Sequence, residues 1–380
     1  MEDLIAEVKQ RGGGILLSVH EKPEAVVLTL EKYNELISES ANKLISQSEN
    51  QKISNSENEK ISCTVLVTGG AGYIGAHVAR SLLKAGHKIV VLDNLSTGKR
   101  ENIPAEAKFI EGNVGDMNLL RDVFANEHID FVIHMAASIE VGESVEKPGD
   151  YLSNNVLNTA VLLKAMDESG VKKIVFSSTA AVYGQQQEMP IRETASLDPN
   201  NPYAYSKFLA EKLIEYYCQF SGFQAVVFRY FNACGTDFDG SISSAHESHL
   251  IPNVLKVARG EKPHLTVFGN DYDTFDGTCV RDYVHVLDIA QAHTAAILHM
   301  PELDNFSVIN IGTGRGYSVE QVVNCASEIL NRIIPMEIGP RRIGDAPVTV
   351  ANDERMKNLL RFSLKYSDLE TIIKTSWEAK

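Results

Sequence analysis

Cysteine, tryptophan and positive charge are all scarce in this chain of 380 residues. The five cysteines stand far apart without a Cys-x-x-Cys pair, which argues against a zinc site or a disulfide framework and favours a reducing cytoplasm. A formal net charge of −14 repels phosphate backbones, so we expect no nucleic-acid partner. No apolar run is long enough to cross a bilayer and no signal peptide opens the sequence, so we expect no membrane association. The histidines show no metal-binding spacing, and we expect no metal.

The first 62 residues differ in composition from the rest of the chain. Two β-rich runs, ILLSV and AVVLTL, precede a stretch with helical spacing, and residues 41–62 form a polar linker in which SENxKIS occurs twice. The segment GILLSVHEKPEAVVLTLEKYNELIS resembles the middle of Phd/YefM-type antitoxins, although the DNA-contacting part of that family has no counterpart here. We therefore expect residues 1–40 to be an appendage, and a fusion or misassigned start without function is the alternative.

From Cys63 onward, predicted strands alternate with predicted helices. Val/Ile-rich runs such as CTVLVTG, HKIVVLDN, DFVIHMA and KKIVFSS are separated by amphipathic stretches such as NLLRDVFANE. Buried runs of this kind predict a parallel sheet that is covered on both faces. Strand-first order with right-handed crossovers indicates a doubly wound α/β Rossmann sheet.

A glycine-rich turn joins the first of these strands to the first helix. It reads TGGAGYIG, with Gly69, Gly72 and Gly75 three residues apart. Because glycine has no Cβ, such a turn lets the backbone approach a pyrophosphate, and the helix amino terminus offers N–H groups. The next strand ends at Asp93, where a carboxylate accepts from both ribose hydroxyls and repels a 2′-phosphate. The combination predicts NAD rather than NADP.

The second chemical motif is YAYSK at residues 203–207, which opens a predicted helix. Tyr203 and Lys207 lie one helical turn apart on one face. The hydroxyl cluster from Ser177 to Thr179 ends a strand, and such sheets bind ligands at the carboxyl ends of their strands. A nearby ammonium and a nicotinamide cation both favour a phenolate, so we predict that Tyr203 is a general base near neutral pH.

Residues 63–380 resemble the extended short-chain dehydrogenase/reductases, and within them the UDP-glucose 4-epimerases. The resemblance is carried by TGGAGYIG, SSTAAVYG, PYAYSK, RYFNACG, FGNDYDTFDGTCVRDYVHV and NIGTGRGYSV with PRRIGDAP. It implies inversion at C4 of a UDP-sugar by transient oxidation with tightly bound NAD, in a homodimer. It also implies an NAD-binding domain over residues 63–235 and a smaller UDP-sugar-binding domain over 236–380, with parts of 281–312 returning to the first.

The same resemblance implies roles for individual residues. Tyr203 is the base, Lys207 its electrostatic partner, and Thr179 the hydroxyl that bonds the sugar's O4. The cofactor-binding set is Gly69, Gly72, Tyr73, Ile74, Gly75, Asp93, Asn94, Asn113, Val114, Ala136, Asn155, Ser177, Tyr203, Lys207 and Tyr230. The substrate-binding set is Thr179, Asn232, His249, Leu250, Phe268, Arg281, Arg342, Asp345 and Thr349. Arg281 and Arg342 would hold the diphosphate, as guanidinium forks do.

Three positions depart from, or vary within, the family pattern. Asn113 stands where an aspartate usually contacts adenine, and Ile139 stands where many members carry a lysine that reaches the cofactor phosphates; both predict weaker cofactor binding. Thr349 occupies a position that is tyrosine in members restricted to glucose and galactose. A small residue there leaves room for an acetamido group at C2 of the sugar, so we expect N-acetylated sugars to be accepted as well.

Three alternatives stay open on sequence grounds. A nucleotide-sugar 4,6-dehydratase needs an acid–base pair directly after Thr179, where this chain has Ala180 and Ala181. A 4-keto reductase would use free dinucleotide. A regulatory or DNA-associated protein without catalysis is the alternative from another class, because of the antitoxin-like segment.

Overall fold

The computed structural model describes residues 14–19, 22–28, 62–242, 249–342 and 345–378. The chain divides into two compact units, Met1–Ile61 and Ser62–Lys380. In the first unit, strands β1 (Gly14–Val19) and β2 (Lys22–Leu28) pair antiparallel, which confirms the two predicted β-runs. The predicted helix that follows them and the polar linker lie outside the described residues.

The strands of the second unit alternate with its helices. They are β3 (Thr64–Thr68), β4 (Lys88–Asp93), β5 (Lys108–Glu111), β6 (Phe131–His134), β7 (Lys173–Thr179), β8 (Gln224–Tyr230), β9 (Asn232–Cys234), β10 (Leu265–Phe268), β11 (Val280–Arg281), β12 (Tyr283–His285), β13 (Phe306–Ile311), β14 (Tyr317–Ser318), β15 (Met336–Gly339) and β16 (Val348–Thr349). The order β13-β8-β7-β6-β3-β4-β5 makes a seven-stranded sheet, and all its pairs are parallel. The predicted doubly wound sheet is therefore confirmed.

The helices of this unit are α1 (Tyr73–Lys84), α2 (Met117–Glu127), α3 (Val141–Glu146), α4 (Pro148–Tyr151), α5 (Asn158–Ser169), α6 (Pro202–Ser221), α7 (Leu250–Ala258), α8 (Val286–His299), α9 (Val319–Leu330), α10 (Glu354–Leu360) and α11 (Leu369–Glu378). A π-helical turn, Leu152–Leu157, joins α4 to α5. Short 3₁₀ turns lie at Arg100–Asn102, Ala180–Tyr183 and Met300–Glu302. None of the helices in the described part of the chain has the length and apolarity that a membrane span requires.

Side-chain alternation along the strands sends alternate residues to two apolar layers. Val65 and Val67 of β3 pack with α1 and α8 on one face of the sheet. Leu66, between them, packs with α2, α5 and α6 on the other face. Because successive side chains of a strand point to opposite faces, the apolar centre of β3, Val65 to Val67, is buried only if helices cover both faces of the sheet.

After β8 the chain leaves the large sheet and builds a second core. β9 pairs with β12, β10 with β15, and β11 lies between β14 and β16. Helices α7, α9 and α11 pack around an apolar cluster of their own. The chain then returns as β13, which lies beside β8 in the large sheet. This excursion places the second core next to the carboxyl end of β8, where parallel sheets bind ligands.

Candidate active site

The turn between β3 and α1 has no room for a side chain at Gly69 or at Gly75. Gly69 has φ +72°, and a Cβ there would lie 2.6 Å from the backbone nitrogen of Ala136. A Cβ on Gly75 would lie 2.2 Å from the oxygen of Gly69. Gly72 caps α1 in an extended conformation without a side-chain hydrogen bond. The first-turn N–H groups of α1 therefore face outward at a turn that a diphosphate can approach.

Asp93 ends β4 beside this turn and is buried. Its Oδ2 accepts a hydrogen bond from the backbone N–H of Ala71 at 2.9 Å, and its Oδ1 accepts one from that of Leu95 at 2.8 Å. Each oxygen keeps a lone pair for a further donor. A fixed carboxylate with spare acceptor capacity, next to an open helix amino terminus, fits the ribose and diphosphate of NAD. Asn94, the next residue, is exposed.

Two amides from the predicted cofactor set are already engaged by protein groups. Asn113 is exposed, and its Oδ1 accepts from the N–H of Gly115 at 2.8 Å. Asn155 is buried and accepts from the N–H of Ser138 at 2.8 Å. It also donates to the oxygen of Ser138 and to Oγ of Ser206, both at 2.9 Å. Asn155 therefore fixes the loop after β6 against α6. Val114 is buried behind Asn113.

The predicted catalytic trio comes together between β7 and α6. Asn201 caps α6 by accepting from the N–H of Ala204 at 2.9 Å, which fixes the start of the helix that carries Tyr203 and Lys207. The Nζ atom of Lys207 donates to the backbone oxygen of Ser177 at 2.8 Å. The Tyr203 hydroxyl is hydrogen-bonded to the side chain of Thr179.

Burial shifts the pKa values of Tyr203 and Lys207 in opposite senses. The Tyr203 hydroxyl is enclosed although part of its ring is accessible. Desolvation raises the pKa of Tyr203 to about 12, and the hydrogen bond from Thr179 offsets this in part. Desolvation lowers the pKa of Lys207 to about 7. In the protein alone, desolvation of the phenolate therefore outweighs the effect of its neighbours. The predicted general base near neutral pH assumed a nicotinamide cation beside Tyr203 as well, and it stays a prediction.

Tyr230 ends β8 on the other side of Ser177. His293 donates from Nδ1 to the carbonyl of Ile289 at 2.9 Å, so its Nε2 accepts from the Tyr230 hydroxyl at 2.8 Å. Ser177 Oγ then donates to the same hydroxyl at 2.9 Å. Burial lowers the pKa of His293 to about 4, so the imidazole is neutral. These contacts hold Tyr230 as a buried, un-ionised phenol.

A cavity of about 760 Å³ opens beside the glycine turn. Seven of the predicted substrate residues line it: Asn232, His249, Leu250, Phe268, Arg281, Arg342 and Asp345. Tyr73 of α1 lines it too, so the glycine turn and the cavity share a wall. Two predicted members lie elsewhere. Thr179 sits with Tyr203, and Thr349 in β16 pairs in register with Arg281 of β11.

Two guanidinium groups give this cavity a positive wall in an acidic chain. Arg281 donates to the oxygen of Ala346 at 2.8 Å and lies 3.5 Å from Asp345. The Arg342 guanidinium stacks 3.9 Å above the centre of the Phe268 ring. Paired guanidinium forks suit an anionic diphosphate, and the partly exposed ring offers a stacking surface for a base.

Residues 65–312 match the model of the NAD dependent epimerase/dehydratase family. The chain is also 44% identical over 315 residues to the UDP-glucose 4-epimerase of Halalkalibacterium halodurans, across 82% of this chain and 94% of that protein. This chain belongs to the NAD dependent epimerase/dehydratase family. The match to the family begins after the first unit of the chain.

Solved structures of family members agree with this assignment. The UDP-glucose 4-epimerase of Brucella ovis in complex with NAD is 41% identical with a TM-score of 0.80, covering 83% of this chain and 98% of that one. The enzyme of Bifidobacterium longum in complex with NAD⁺ and UDP is 38% identical with a TM-score of 0.77, covering 83% and 97%. NAD as the cofactor thus agrees with both the family and the glycine turn.

Within this family site, several residues were missed by sequence reasoning. Asp282 is buried next to Arg281 and accepts from the N–H groups of Thr313 at 2.9 Å, Gly314 at 3.1 Å and Ala351 at 3.1 Å. It therefore ties three segments together behind the cavity wall that carries Arg281. His293 and Glu211 were likewise missed. Each acts through a partner distant in sequence, and no local spacing indicates such a pair.

Proposed function

We propose that this chain is a UDP-glucose 4-epimerase, which interconverts UDP-glucose and UDP-galactose with NAD as its cofactor. One observation carries the proposal: the Tyr203–Thr179–Lys207 cluster lies at the strand ends near a cavity with two guanidinium groups on its wall. The relatives in Halalkalibacterium halodurans and Brucella ovis carry the same name. The enzyme is an isomerase, because substrate and product differ only at C4.

The protein's own residues account for binding, orientation and proton transfer. NAD, when bound at the glycine turn, supplies an acceptor and donor of hydride. Thr179 orients the 4′-hydroxyl, and Tyr203 takes its proton and later returns it. The Lys207 ammonium favours the phenolate form of Tyr203. Arg281 and Arg342 hold the diphosphate while the sugar turns about that tether and presents its other face.

The residues that follow Thr179 do not favour a dehydratase reaction at this site. Ala180 and Ala181 follow Thr179 in a 3₁₀ turn and supply neither the acid nor the base that removal of a C5 proton requires. A 4-keto reductase remains distinguishable by experiment, because it consumes reduced dinucleotide whereas an epimerase regenerates its cofactor in every cycle.

The decisive experiment omits the cofactor. Purified protein is incubated with UDP-galactose and no added NAD, and UDP-glucose is measured. Conversion without added NAD, together with NAD released from the denatured protein, supports the proposal. Activity that depends on a continuous supply of NADH would favour a reductase and contradict it.

We also propose that the site accepts UDP-N-acetylhexosamines. Thr349 is partly buried and lies next to Arg281 in the parallel pairing of β11 with β16. Its backbone oxygen accepts from the N–H of Asp282 at 3.1 Å, which fixes the position of the strand without involving the small threonine side chain. An acetamido group at C2 needs volume as the ring turns, and threonine leaves more volume than tyrosine.

We further propose a cytoplasmic homodimer. Val145 of α3, Leu157 of the π-helical turn, and Tyr216 and Phe220 of α6 are 64%, 56%, 57% and 64% exposed. These elements pack beside one another, and a shared apolar face of this kind is typical of an interface between identical subunits. None of the five cysteines, all of which lie in the described part of the chain, forms a disulfide, which agrees with a reducing compartment.

For the first unit we propose an antitoxin-like appendage that has no part in catalysis. Its two strands form an antiparallel hairpin, as the middle of such antitoxins would require.

A further inference from the structure

A buried ion pair lies directly behind the catalytic cluster. Glu211 follows Lys207 by one turn of α6, and its carboxylate pairs with the guanidinium of Arg229 on β8. Nη2 of Arg229 donates to Oε2 of Glu211 at 2.7 Å, and Nε donates to Oε1 at 3.1 Å. The two side chains are only 4% and 3% exposed. Ser178 Oγ donates to the same carboxylate.

These contacts connect α6 to the strand ends that carry the reacting groups. Ser178 lies between Ser177, which holds Lys207, and Thr179, which bonds Tyr203. Ser178 is also opposite Arg229 in the register of β7 and β8. Glu211 therefore fixes the helix with the base to the strand with the orienting hydroxyl.

Stability alone is a weak reason for this pair. Desolvating two opposite charges costs about as much as their attraction returns, and apolar residues of similar volume often serve as well. The pair is also incomplete, because Nη1 of Arg229 has no hydrogen-bond partner among the described residues. The guanidinium instead lies 4.8 Å from the centre of the Tyr183 ring.

The charge of Glu211 acts on Lys207. Burial lowers the pKa of Lys207, and the Glu211 carboxylate raises it. Among the described residues, the ionisable groups around this ammonium and Tyr203 are Glu211 on α6, Arg229 and Tyr230 on β8, His134 on β6, and Glu140 directly before α3. The Glu140 carboxylate raises the pKa of Tyr203. His134 is neutral, since burial and Lys207 lower its pKa to about 3. Tyr230 is un-ionised because burial raises its pKa.

We propose that Glu211 is a positioning residue for the reaction: held by Ser178 and Arg229, its carboxylate fixes α6 against the strand ends and keeps Lys207 charged beside Tyr203. The role rests on the proposed function of that site. Glu211 is only 2% exposed and thus out of reach of a sugar or cofactor; it acts through Lys207.

The test replaces the charge and keeps the shape. In Glu211→Gln, Lys207 loses its proton at lower pH, and Tyr203 then needs a higher pH to ionise. We expect kcat to rise with pH as Tyr203 ionises and to fall as Lys207 loses its proton, which gives a bell-shaped pH profile. In Glu211→Gln the rising limb should move to higher pH and the falling limb to lower pH, each by about one pH unit or more. The ionisation of Tyr203 is followed by the ultraviolet absorbance of tyrosinate, with the spectrum of a matching Tyr203→Phe variant subtracted. In Glu211→Gln this ionisation should move to higher pH.

Two further variants separate charge from structure. Glu215→Gln makes the same change on the same helix, at a pair with Lys212 whose side chains are 43% and 52% exposed, and should leave both readouts unmoved. Glu211→Asp keeps the charge and should restore most of the wild-type pH profile. It also serves as the comparison if Glu211→Gln folds poorly.

A folded Glu211→Gln variant with an unmoved pH profile and an unmoved Tyr203 titration would overturn the proposal. Equal loss of activity in Glu211→Asp and Glu211→Gln, without a pH shift in either, would overturn it as well, since only packing would then be at stake. Absence of epimerase activity in the wild type would instead contradict the proposed function, and the Tyr203 titration would still decide the role of Glu211.

Discussion

The ammonium of Lys207 donates to the backbone oxygen of Ser177 at 2.8 Å. The helix that carries Tyr203 is thereby bonded to the strand that carries the hydroxyl cluster from Ser177 to Thr179. The bond also keeps the charge at a fixed place while burial lowers the pKa of Lys207 to about 7. With a pKa near neutrality, small changes in the surroundings of Lys207 change the charge beside Tyr203.

Removing the Tyr203 hydroxyl should abolish turnover and spare binding. We expect Tyr203→Phe to lose about 100-fold or more in kcat, because general acid–base transfer is lost, while the affinity for UDP stays near that of wild type. Lys207→Met should lose a similar factor, and its residual activity should shift to higher pH. Steady-state kinetics and calorimetric titration with UDP measure both. Near-native turnover in Tyr203→Phe would remove the tyrosine from the mechanism.

Enlarging Thr349 should narrow the range of sugars. In Thr349→Tyr we expect kcat/KM for UDP-N-acetylgalactosamine to fall about 10-fold or more, and kcat/KM for UDP-galactose to change by less than about 3-fold, because a phenol overlaps the acetamido group. Thr349→Ser is the matched control and should keep both substrates. Equal turnover of the acetylated sugar by wild type and Thr349→Tyr would exclude Thr349 as the gate.

Deleting residues 1–61 should leave catalysis intact. The second unit begins at Ser62 and contains every predicted site residue. We expect an unchanged kcat for the conversion of UDP-galactose to UDP-glucose. We also expect a thermal midpoint, measured by calorimetry, within a few degrees of that of the full chain. A truncated protein that is insoluble or inactive would show that the appendage contributes to the folded enzyme.

Acid should destabilise the protein through buried histidines. Burial lowers the pKa of His134 to about 3 and those of His285 and His293 to about 4. These groups stay neutral in the folded state but gain a proton in the unfolded state below about pH 6.5. Their contribution is therefore fully present above that value and is lost as pH falls, by about 2 kcal/mol each between about pH 7 and pH 5.

Urea unfolding at these two pH values measures the loss. Asp282, whose pKa burial raises to about 6, acts in the opposite sense and offsets part of it. His134→Asn should reduce the pH dependence, although it also weakens the hydrogen bonds to Thr68 and Thr159. A free energy of unfolding that stays constant over this range would show that these histidines ionise freely in the folded state.

Charging the apolar face of α6 should separate the subunits. Tyr216→Glu with Phe220→Glu should convert the proposed dimer to monomer, because the two rings, with centroids 4.8 Å apart in the wild type, are replaced by two carboxylates that dimerisation would have to bury. Sedimentation velocity measures the change. Phe275→Glu, at a ring 72% exposed in the loop between β10 and β11, is the control and should remain dimeric. A monomeric wild type would contradict the proposed interface.

The features that the sequence predicted share one property: they are local. Gly69, Gly72 and Gly75 form one turn, Asp93 ends the next strand, and Tyr203 and Lys207 lie one helical turn apart. Spacing along the chain is enough to place such groups, because helix and strand geometry does the rest.

What the sequence did not predict depends on pairs far apart in the chain. Glu211 meets Arg229, His293 meets Tyr230, and each contact is created by packing between elements. The pKa of Tyr203 in the protein alone also depends on packing, since desolvation is set by every atom around the hydroxyl and not by the neighbouring lysine alone. Whether Thr349 reaches the sugar stays a prediction.

The return of β13 to the large sheet has a consequence for co-translational folding. Strand β8 is synthesised well before β13, and its edge pairs with β13 in the finished protein. Until Phe306–Ile311 has emerged from the exit tunnel, the nascent chain presents an unsatisfied, largely apolar strand edge that can recruit other chains. Completion of the seven-stranded sheet must therefore await translation of β9 to β12 together with α7 and α8, and a chain that stalls before β13 is exposed to aggregation.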